Sequence, residues 1–223
     1  MPLFITADGS HSIESEQYGV PYHSRHGAMQ ETRHVFIEAG LLHVARNGEP
    51  TNVLGIGFGT GLNAFVTLLT AEQQNLTVHY HAVEAYPISE QEVRQLNYAD
   101  VLEVPERRVD LLRLHDAEWN EPVKFSEHFH FQKEPTKFEA LDLPADYFDV
   151  IYFDAFAPQA QPELWDEHVL GKMYRTLRPG GVLVTYCAKG SVKRCLRALG
   201  FTVEALPGPP RKREMTRARK ATE

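Results

Sequence analysis

The sequence predicts a doubly wound α/β domain, an open and largely parallel sheet with helices on both faces. From residue 51 onward, short apolar β-type runs alternate with helical patterns, an order that is typical of parallel strands joined by right-handed helical crossovers. A glycine-rich segment follows the first of these runs. The chain has 223 residues, 43% of them apolar and 24% charged, as expected for one globular domain that buries its own core.

The predicted elements follow one another in a regular order. Strands are expected at 52–56, 78–84, 147–154, 182–187 and 201–205, and helices at 61–71, 89–96, 162–177 and 189–199. Ser89 and Glu92 have the spacing of a capping box at the start of the second helix. Pro179-Gly180-Gly181 is expected to end the third helix.

Two regions fit this alternation less well. Residues 1–50 are predicted to form an N-terminal extension, helical in its second half, that packs over the carboxyl edge of the sheet. Residues 51–223 then form the main domain. Within it, residues 98–140 are expected to hold a helix and a strand whose bounds the pattern leaves open.

Charge is distributed unevenly along the chain. Thirty acidic against 23 basic residues give a net charge of −7, which argues against a surface that coats nucleic acid uniformly. Six basic residues nevertheless lie within the last thirteen positions: Arg211, Lys212, Arg213, Arg217, Arg219 and Lys220. Such an end is either a solvated, poorly ordered terminus or a contact for an anionic partner.

The cysteine, histidine and hydropathy patterns predict no metal site, no disulfide bond and no membrane-spanning segment. Cys187 and Cys195 lie in a predicted strand–helix segment without zinc-ligand spacing, so free thiols in a reducing compartment are expected. The eleven histidines repeat no known ligand spacing. The N-terminus has no secretory signal pattern, and no run approaches the roughly 18 apolar residues of a membrane span. A cytoplasmic location is therefore predicted.

Alternating glycines form the loop between the first strand and its helix. Gly57, Gly59 and Gly61 allow the backbone to turn tightly and to approach a ligand at the helix N-terminus. Their spacing differs from the G-x-G-x-x-G fingerprint of dinucleotide-binding loops, so a pyrophosphate is less expected there. A nucleoside with an amino-acid tail suits this tighter loop, and S-adenosylmethionine (SAM) is that ligand.

Glu84 ends the next predicted strand, 27 residues after Gly57. A carboxylate at this place accepts hydrogen bonds from both ribose hydroxyls of a nucleoside cofactor. A nicotinamide enzyme uses the same acid, so Glu84 alone does not separate SAM from NAD. An acid that simply ends an exposed strand is the alternative.

Asp154-Ala155-Phe156-Ala157-Pro158 follows a strongly β-prone run. In an open α/β sheet, ligands bind at the carboxyl ends of the strands near the topological switch point. Asp154 is therefore expected to hold an ammonium or amine, and Phe156 to shield a reacting centre from water. The structural alternatives are that Asp154 caps the helix starting near Pro162 and that Phe156 belongs to the core.

Four motifs in this order carry a resemblance to one family. They are YHSRHGAMQETRHVFIEAGL (residues 22–41), GFGTGLN (57–63), DAFAP (154–158) with Pro162 and Trp165, and KREM (212–215). Together they resemble, over nearly the whole chain, the methyltransferase domain of the bacterial bifunctional proteins that make 5-methylaminomethyl-2-thiouridine in tRNA. The resemblance implies a Rossmann-like class I SAM-dependent methyltransferase fold. That family's FAD-dependent oxidase domain has no counterpart in the sequence, so a stand-alone enzyme with a separate oxidase as partner is expected.

The resemblance also implies a reaction, the SAM-dependent methylation of the aminomethyl group on a wobble uridine of tRNA. Asp154 and Phe156 are the expected catalytic residues, with Asp154 orienting the amine and relaying its proton. The cofactor contacts implied are Gly57, Phe58, Gly59, Gly61, Asn63, Glu84 and Asp154, with Tyr22 and Glu31 closing the site from above. Tyr22 and Glu31 fit ordinary packing and surface roles equally well. The expected substrate contacts are Pro158, Arg211, Lys212 and Arg213.

Two positions depart from the family pattern. Gly55 stands where the family has an acid that helps to hold the methionine end of the cofactor, which makes Asp154 more important for the amino group. The acid expected near the adenine is Glu134 or Glu139, and the sequence does not decide between them.

Three rival functions remain open at this point. A methyltransferase of the same fold that acts on a small amine would methylate free amines as well as tRNA. A non-catalytic RNA-binding module, which Gly55 makes conceivable, would bind tRNA but transfer no methyl group. A nicotinamide dehydrogenase would bind NAD.

Overall fold

The computed structural model describes residues 1–137 and 140–222. The strands are β1 (Leu3–Ile5), β2 (His11–Ile13), β3 (Thr51–Ile56), β4 (Val78–Val83), β5 (Val123–Lys124), β6 (Phe129–Glu134), β7 (Phe148–Phe153), β8 (Leu177–Thr185), β9 (Thr202–Pro207) and β10 (Glu214–Arg219). The helices are α1 (Ala28–Glu31), α2 (Leu42–Val44), α3 (Leu62–Gln74), α4 (Glu90–Val93), α5 (Tyr98–Val101), α6 (Arg108–Asp116), α7 (Glu167–Thr176) and α8 (Gly190–Ala198). A π-helical segment, Thr32–Leu41, joins α1 to α2, and 3₁₀ turns lie at Pro105–Arg107 and Pro162–Trp165.

Eight strands form the central sheet in the order β5-β6-β4-β3-β7-β8-β10-β9. Strands β6, β4, β3, β7 and β8 are parallel, and β5 and β10 pair antiparallel with their neighbours. From β3 the chain first extends the sheet on one side, through β4 and β6, and then returns to β7 on the other side. The predicted doubly wound, Rossmann-like architecture is confirmed, and its switch point lies between β3 and β7.

Both faces of the sheet are buried, because side chains alternate between two apolar clusters. On β3, Val53 joins one cluster while Leu54 and Ile56 join the other; on β7, Val150 alternates with Ile151 in the same way. The first cluster includes residues of α3, α6 and the N-terminal segment, and the second includes residues of α7 and α8. This double burial explains why β3 is buried at all six positions.

The N-terminal extension packs a helix against one face of the sheet and also reaches the edge of the sheet. Residues 1–27 begin with the β1–β2 hairpin, which the sequence pattern did not indicate. The helix that follows, α1 through α2, approaches the sheet so closely that a Cβ at Gly40 would lie 3.0 Å from Val184 and 3.3 Å from Tyr152. The loop between hairpin and helix reaches the carboxyl edge of the sheet. A division of the chain after residue 50 stays a prediction.

The prediction that the strand at 201–205 is the last one is wrong. A poorly ordered terminus, one of the two alternatives for the basic end, is not what the structure shows. Strand β10 follows and inserts between β8 and β9. Its Met215, Thr216 and Ala218 are fully buried, but the basic residues among them conceal this strand pattern in the sequence. Arg217 is bound to Glu204 at 2.6 Å, so part of the basic tail is structural.

One predicted helix, at 162–177, has different bounds in the structure. The helix expected over 162–177 consists of a 3₁₀ turn and then α7, whose N-cap is Asp166. Strand β8 begins directly afterwards and runs through Pro179-Gly180-Gly181, so these residues lie inside a strand instead of ending a helix. The capping box at Ser89 and Glu92 is confirmed.

In the part of the chain that the structure describes, no helix has the length and apolar character needed to cross a membrane.

Candidate active site

The switch point brings together three segments that are distant in sequence. The loop after β3 carries Gly57, β4 leads into Glu84, and β7 leads into Asp154. The backbone N–H of Asp154 donates to the Ile56 carbonyl at 3.1 Å, and that of Gly57 donates to the Val83 carbonyl at 3.0 Å. Parallel register therefore places the two acids and the glycine loop at the same edge of the sheet.

Left-handed backbone makes all three loop glycines necessary. Gly57, Gly59 and Gly61 have φ angles of 86°, 53° and 77°, a region that costs other residues about 1–2 kcal/mol each. Space is also short, since a Cβ at Gly59 would lie 3.0 Å from the Tyr22 ring and one at Gly61 would lie 2.7 Å from His115 Nε2. The loop thus presents bare backbone to the pocket.

Glu84 holds the glycine loop in place. One carboxylate oxygen accepts the N–H of Gly59 at 2.8 Å, and the other accepts the N–H of Tyr86 at 2.7 Å. The side chain is 8% exposed, so the simple alternative of an exposed strand-end acid does not describe it. Each carboxylate oxygen keeps a second lone pair that can accept a ribose hydroxyl.

Asp154 is held by a chain of hydrogen bonds from two helices. Asn63 Nδ2 donates to Asp154 Oδ2 at 2.8 Å, and Thr32 Oγ1 donates to Asn63 Oδ1 at 2.9 Å. Burial and the nearby charge of Glu31 raise the pKa of Asp154 to about 7, against the hydrogen bond from Asn63 and the charge of Lys212, which lower it. A carboxyl group with such a pKa exchanges protons near neutral pH.

Asp154 does not cap the following helix, because the N-cap of α7 is Asp166, whose carboxylate accepts the N–H of Val169 at 2.8 Å. Asp154 instead lines a pocket together with Gly57, Glu84 and Phe156. The capping alternative for Asp154 is thereby set aside.

Phe156 belongs to an aromatic wall at the rim of this pocket. Its ring centre lies 5.0 Å from that of Tyr22 and 4.9 Å from that of Tyr18. Gln161 joins the wall to the backbone by donating to the Tyr18 hydroxyl at 3.0 Å and accepting the N–H of Phe156 at 3.3 Å. Phe156 is partly exposed at the pocket and is not a core residue.

The predicted cofactor residues fall into two groups. Seven line the pocket together: Tyr22, Gly57, Phe58, Gly59, Asn63, Glu84 and Asp154. Gly61 and Glu31 do not line it. Gly61 turns the chain into α3, and Glu31 is buried in an ion pair with Lys212.

The predicted substrate residues gather around a neighbouring groove. Pro158, Lys212 and Arg213 line it together with Tyr186 and Lys189. Arg211 is exposed on the same turn with a φ of 68° but does not line the groove. The basic turn therefore adjoins the DAFAP segment, although the two are far apart in sequence.

Sequence reasoning missed several pocket residues, most clearly His23 and Thr60. His23 Nε2 lies 2.7 Å from Thr60 Oγ1, and the nearby His115 Nε2 lies 3.0 Å from the Thr60 carbonyl. Burial lowers the pKa of both histidines to about 4, so both are neutral near pH 7. His23 lies within the YHSRHG motif, and this motif is the signal that could have identified it.

Tyr80 explains the departure at Gly55. A Cβ at Gly55 would lie 2.5 Å from the Tyr80 hydroxyl oxygen, so an acidic side chain would collide with this buried ring. The Tyr80 hydroxyl thus occupies the space that a side chain at position 55 would need.

Of the two candidates for the adenine acid, the one that the structure describes lies away from the pocket. Glu134 lies 3.2 Å from His81 Nε2 and does not line the pocket. Glu139 lies outside the described residues.

The lining of the pocket fits SAM better than a dinucleotide. Among the described residues that line it, Glu84 and Asp154 are acidic and none is lysine or arginine. SAM carries a sulfonium and an ammonium, which two carboxylates attract, whereas a pyrophosphate would meet repulsion from both. The glycine loop and the negative charge of Glu84 and Asp154 together favour SAM over NAD.

Metal and disulfide chemistry find no support in the described residues. No group of three or more histidine, cysteine, aspartate or glutamate side chains there has the arrangement of a metal site. Cys187 is buried, Cys195 is partly exposed, and both are free thiols.

Comparisons with known proteins show which proteins this chain is similar to. A family model for S-adenosyl-L-methionine-dependent methyltransferases matches residues 119–221. A relative from Leptospira borgpetersenii is 32% identical over 215 residues, covering 90% of this chain and 32% of the relative. A relative from Chromohalobacter salexigens is 31% identical over 225 residues, covering 93% and 31%. Both are named tRNA 5-methylaminomethyl-2-thiouridine biosynthesis bifunctional protein MnmC.

A solved structure covers almost the whole chain. The crystal structure of MNMC2 from Aquifex aeolicus is 26% identical, has a TM-score of 0.79 and covers 99% of this chain and 69% of its own. The chain spans about a third of the length of the curated relatives that it matches. The glycine loop and the acidic pocket thus accompany a match of residues 119–221 to the S-adenosyl-L-methionine-dependent methyltransferase family and a similarity of nearly the whole chain to the MnmC proteins.

Proposed function

We propose that this protein methylates the primary amine of 5-aminomethyluridine, or its 2-thio form, at the wobble position of tRNA. The names of the relatives supply the substrate class. The observation that carries the proposal is the meeting of Asp154 with the glycine loop and the aromatic wall at the switch point. A carboxylate that exchanges protons near neutral pH suits an amine acceptor.

Alignment and exclusion of water are the main tasks of the site. When bound, SAM supplies a methyl group whose bond to the sulfonium sulfur breaks as the amine nitrogen bonds to it. Charge moves from sulfur to nitrogen instead of being created, so little electrostatic stabilisation is needed. Phe156 and Tyr22 cover the pocket, and the neutral His23 places no positive charge near the sulfonium.

Asp154 accepts the proton that the acceptor amine loses. An amine attacks only in its neutral form, and a carboxylate with a pKa of about 7 is a better acceptor for the proton of an adjacent ammonium than an ordinary carboxylate is. Asn63 keeps the carboxylate oriented through Oδ2 and leaves Oδ1 free for the amine. Glu84 is assigned to the ribose of the cofactor, through the lone pairs that its backbone bonds leave unused.

The groove beside the pocket is the proposed entry for the tRNA. Pro158 and Arg213 both line it, and the exposed Arg211 lies on the same turn as Arg213. Basic side chains at such an edge contact phosphates without reading the base sequence. A separate FAD-dependent oxidase is the proposed supplier of the aminomethyl group, and a tRNA substrate agrees with the predicted cytoplasmic location.

Labelled SAM and tRNA from cells lacking the modification test this function. We expect label in the methylaminomethyl nucleoside after digestion, and none with the Asp154→Asn variant. Equal labelling of a free small amine would favour the small-molecule alternative. Binding of tRNA with no transfer of label by the wild type would favour a non-catalytic RNA-binding module, and either result would refute the proposal.

A further inference from the structure

An ion pair joins two distant parts of the chain, and both of its charges act on Asp154. Glu31 ends α1, and Lys212 lies in the turn between β9 and β10; the Glu31 carboxylate and the Lys212 ammonium are in direct contact. Glu31 is 6% exposed, and its other oxygen accepts the N–H of Ser24 at 3.3 Å. The ammonium also lies over the Tyr186 ring, 4.7 Å from its centre. Both partners are therefore fixed.

Hydrogen bonds connect the surroundings of this pair to Asp154 from both sides. Thr32, which follows Glu31, donates to Asn63, and Asn63 donates to Asp154. On the other side, the Tyr186 hydroxyl donates to the carbonyl of Ala155, the residue after Asp154, at 2.8 Å. A change in the ion pair would thus affect the position of the Asp154 carboxylate.

The two charges act on Asp154 in opposite directions. Glu31 raises the pKa of Asp154 and Lys212 lowers it. The Asn63 amide donates to Asp154, and the hydroxyls of Tyr80 and Tyr186 are within the electrostatic influence of its carboxylate. Burial raises the pKa of both tyrosines well above the usual value, so they carry no charge near neutral pH.

We propose that Glu31 and Lys212 form a positioning pair for methyl transfer, which holds a fixed cation beside the acceptor amine and balances the charge of Asp154. The inference rests on the proposed function, because the amine is that of the tRNA substrate. A cation nearby disfavours the ammonium form of the acceptor. Glu31 offsets the effect of that cation on Asp154, so the carboxylate stays basic enough to take the proton. The proton then passes from the acceptor to Asp154. Glu31 keeps the Lys212 ammonium from pairing with Asp154 itself.

This assignment changes the expected role of Lys212. Its ammonium is engaged by Glu31 and Tyr186, whereas Arg211 and Arg213 on the same turn are exposed. Lys212 therefore acts inside the site, and its two neighbours are the candidates for contact with tRNA phosphates.

A carboxyl titration tests the pair without any substrate. The protonation midpoint of Asp154 is followed by ¹³C NMR in protein labelled at aspartate, with the resonance assigned from its absence in Asp154→Asn. Lys212→Met leaves Glu31 unpaired, so the midpoint should rise; Glu31→Gln leaves Lys212 unpaired, so the midpoint should fall. Each shift should reach about half a pH unit, since both charges act on a buried carboxyl group, where an unpaired charge moves the pKa by that much or more.

Matched variants separate charge from folding. Lys212→Arg keeps the cation and should keep the wild-type midpoint. The double variant Glu31→Gln/Lys212→Met contains no unpaired charge, so it should fold even where a single variant is unstable, and its midpoint should return towards the wild-type value. The acidic limb of the kcat/KM profile on tRNA should move in the same direction as each midpoint.

Several results would overturn the inference. If the midpoints stay unchanged in both single variants, or move in the same direction, the ion pair only stabilises the fold and has no role in positioning or proton transfer. Weaker tRNA binding by Lys212→Met, with a smaller salt dependence and an unchanged midpoint, would make Lys212 a direct tRNA contact. A wild-type protein that methylates no tRNA would refute the proposed function, while the titration would still decide the role of the pair.

Discussion

Glu84→Gln is the substitution that most directly tests how the glycine loop is held. The Glu84 carboxylate accepts two backbone N–H groups, from Gly59 at 2.8 Å and Tyr86 at 2.7 Å. A glutamine keeps one acceptor oxygen and turns its NH₂ group towards the other N–H. One charge-assisted bond is lost, worth about 1.5–3 kcal/mol.

Thermal unfolding and calorimetry measure the two consequences. For a domain of this size, about 1 kcal/mol corresponds to about 2–4 °C in Tm, so Tm should fall by about 3–12 °C. SAM affinity should fall by at least about tenfold, because each 1.4 kcal/mol is a factor of ten in binding and the variant loses both the loop geometry and a ribose acceptor. Both losses follow from the same side chain.

Asp149→Asn is the matched control at the opposite edge of the sheet. Its carboxylate also accepts a backbone N–H, from Asn52 at 2.7 Å, and it pairs with Arg178 at 3.1 Å. The control should lower Tm by a similar amount and leave SAM affinity unchanged. Wild-type SAM affinity in Glu84→Gln, or an equal loss of affinity in the control, would refute this account of the loop.

Three further predictions concern the acid, the loop and the basic turn. Asp154 has a folded pKa of about 7, above its ordinary 3.8, so its ionisation reduces stability as pH rises between these values, and Asp154→Asn should flatten the fall of Tm over that range. Gly59→Arg should abolish SAM binding in calorimetry, because the φ of 53° and the Tyr22 ring at 3.0 Å leave no room. Arg211→Ala with Arg213→Ala should weaken tRNA binding and reduce its salt slope by about one to two, with SAM affinity unchanged.

The parallel core and its loop motifs could be predicted from the sequence because their signals are local. Apolar runs such as Asn52–Ile56 are buried on both faces, so their sequence is apolar without interruption. Left-handed turns require glycine at positions such as Gly57. The capping box at Ser89 is equally local. Each of these features depends on residues within a few positions of one another.

Strand β10 and the hairpin at the N-terminus could not be predicted in this way. Charged residues alternate with the buried Met215, Thr216 and Ala218, and their charges are neutralised by partners elsewhere in the chain, such as Glu204 for Arg217. A pattern that depends on a distant partner has no local signature. Pro179-Gly180-Gly181 misled the helix prediction for the same reason, since the pairing of β8 outweighs the local turn preference.

The sequence by itself determined the alternating α/β order, the glycine loop and the acids that end the strands, because backbone conformation and burial are dictated by neighbouring residues. Only the tertiary structure decided that Glu84 holds Gly59, that Tyr80 occupies the space at Gly55, and that Glu31 engages Lys212 across 181 positions. These contacts join segments that parallel pairing and helix packing bring together. Their chemistry depends on distance and burial, which the linear order of residues does not contain.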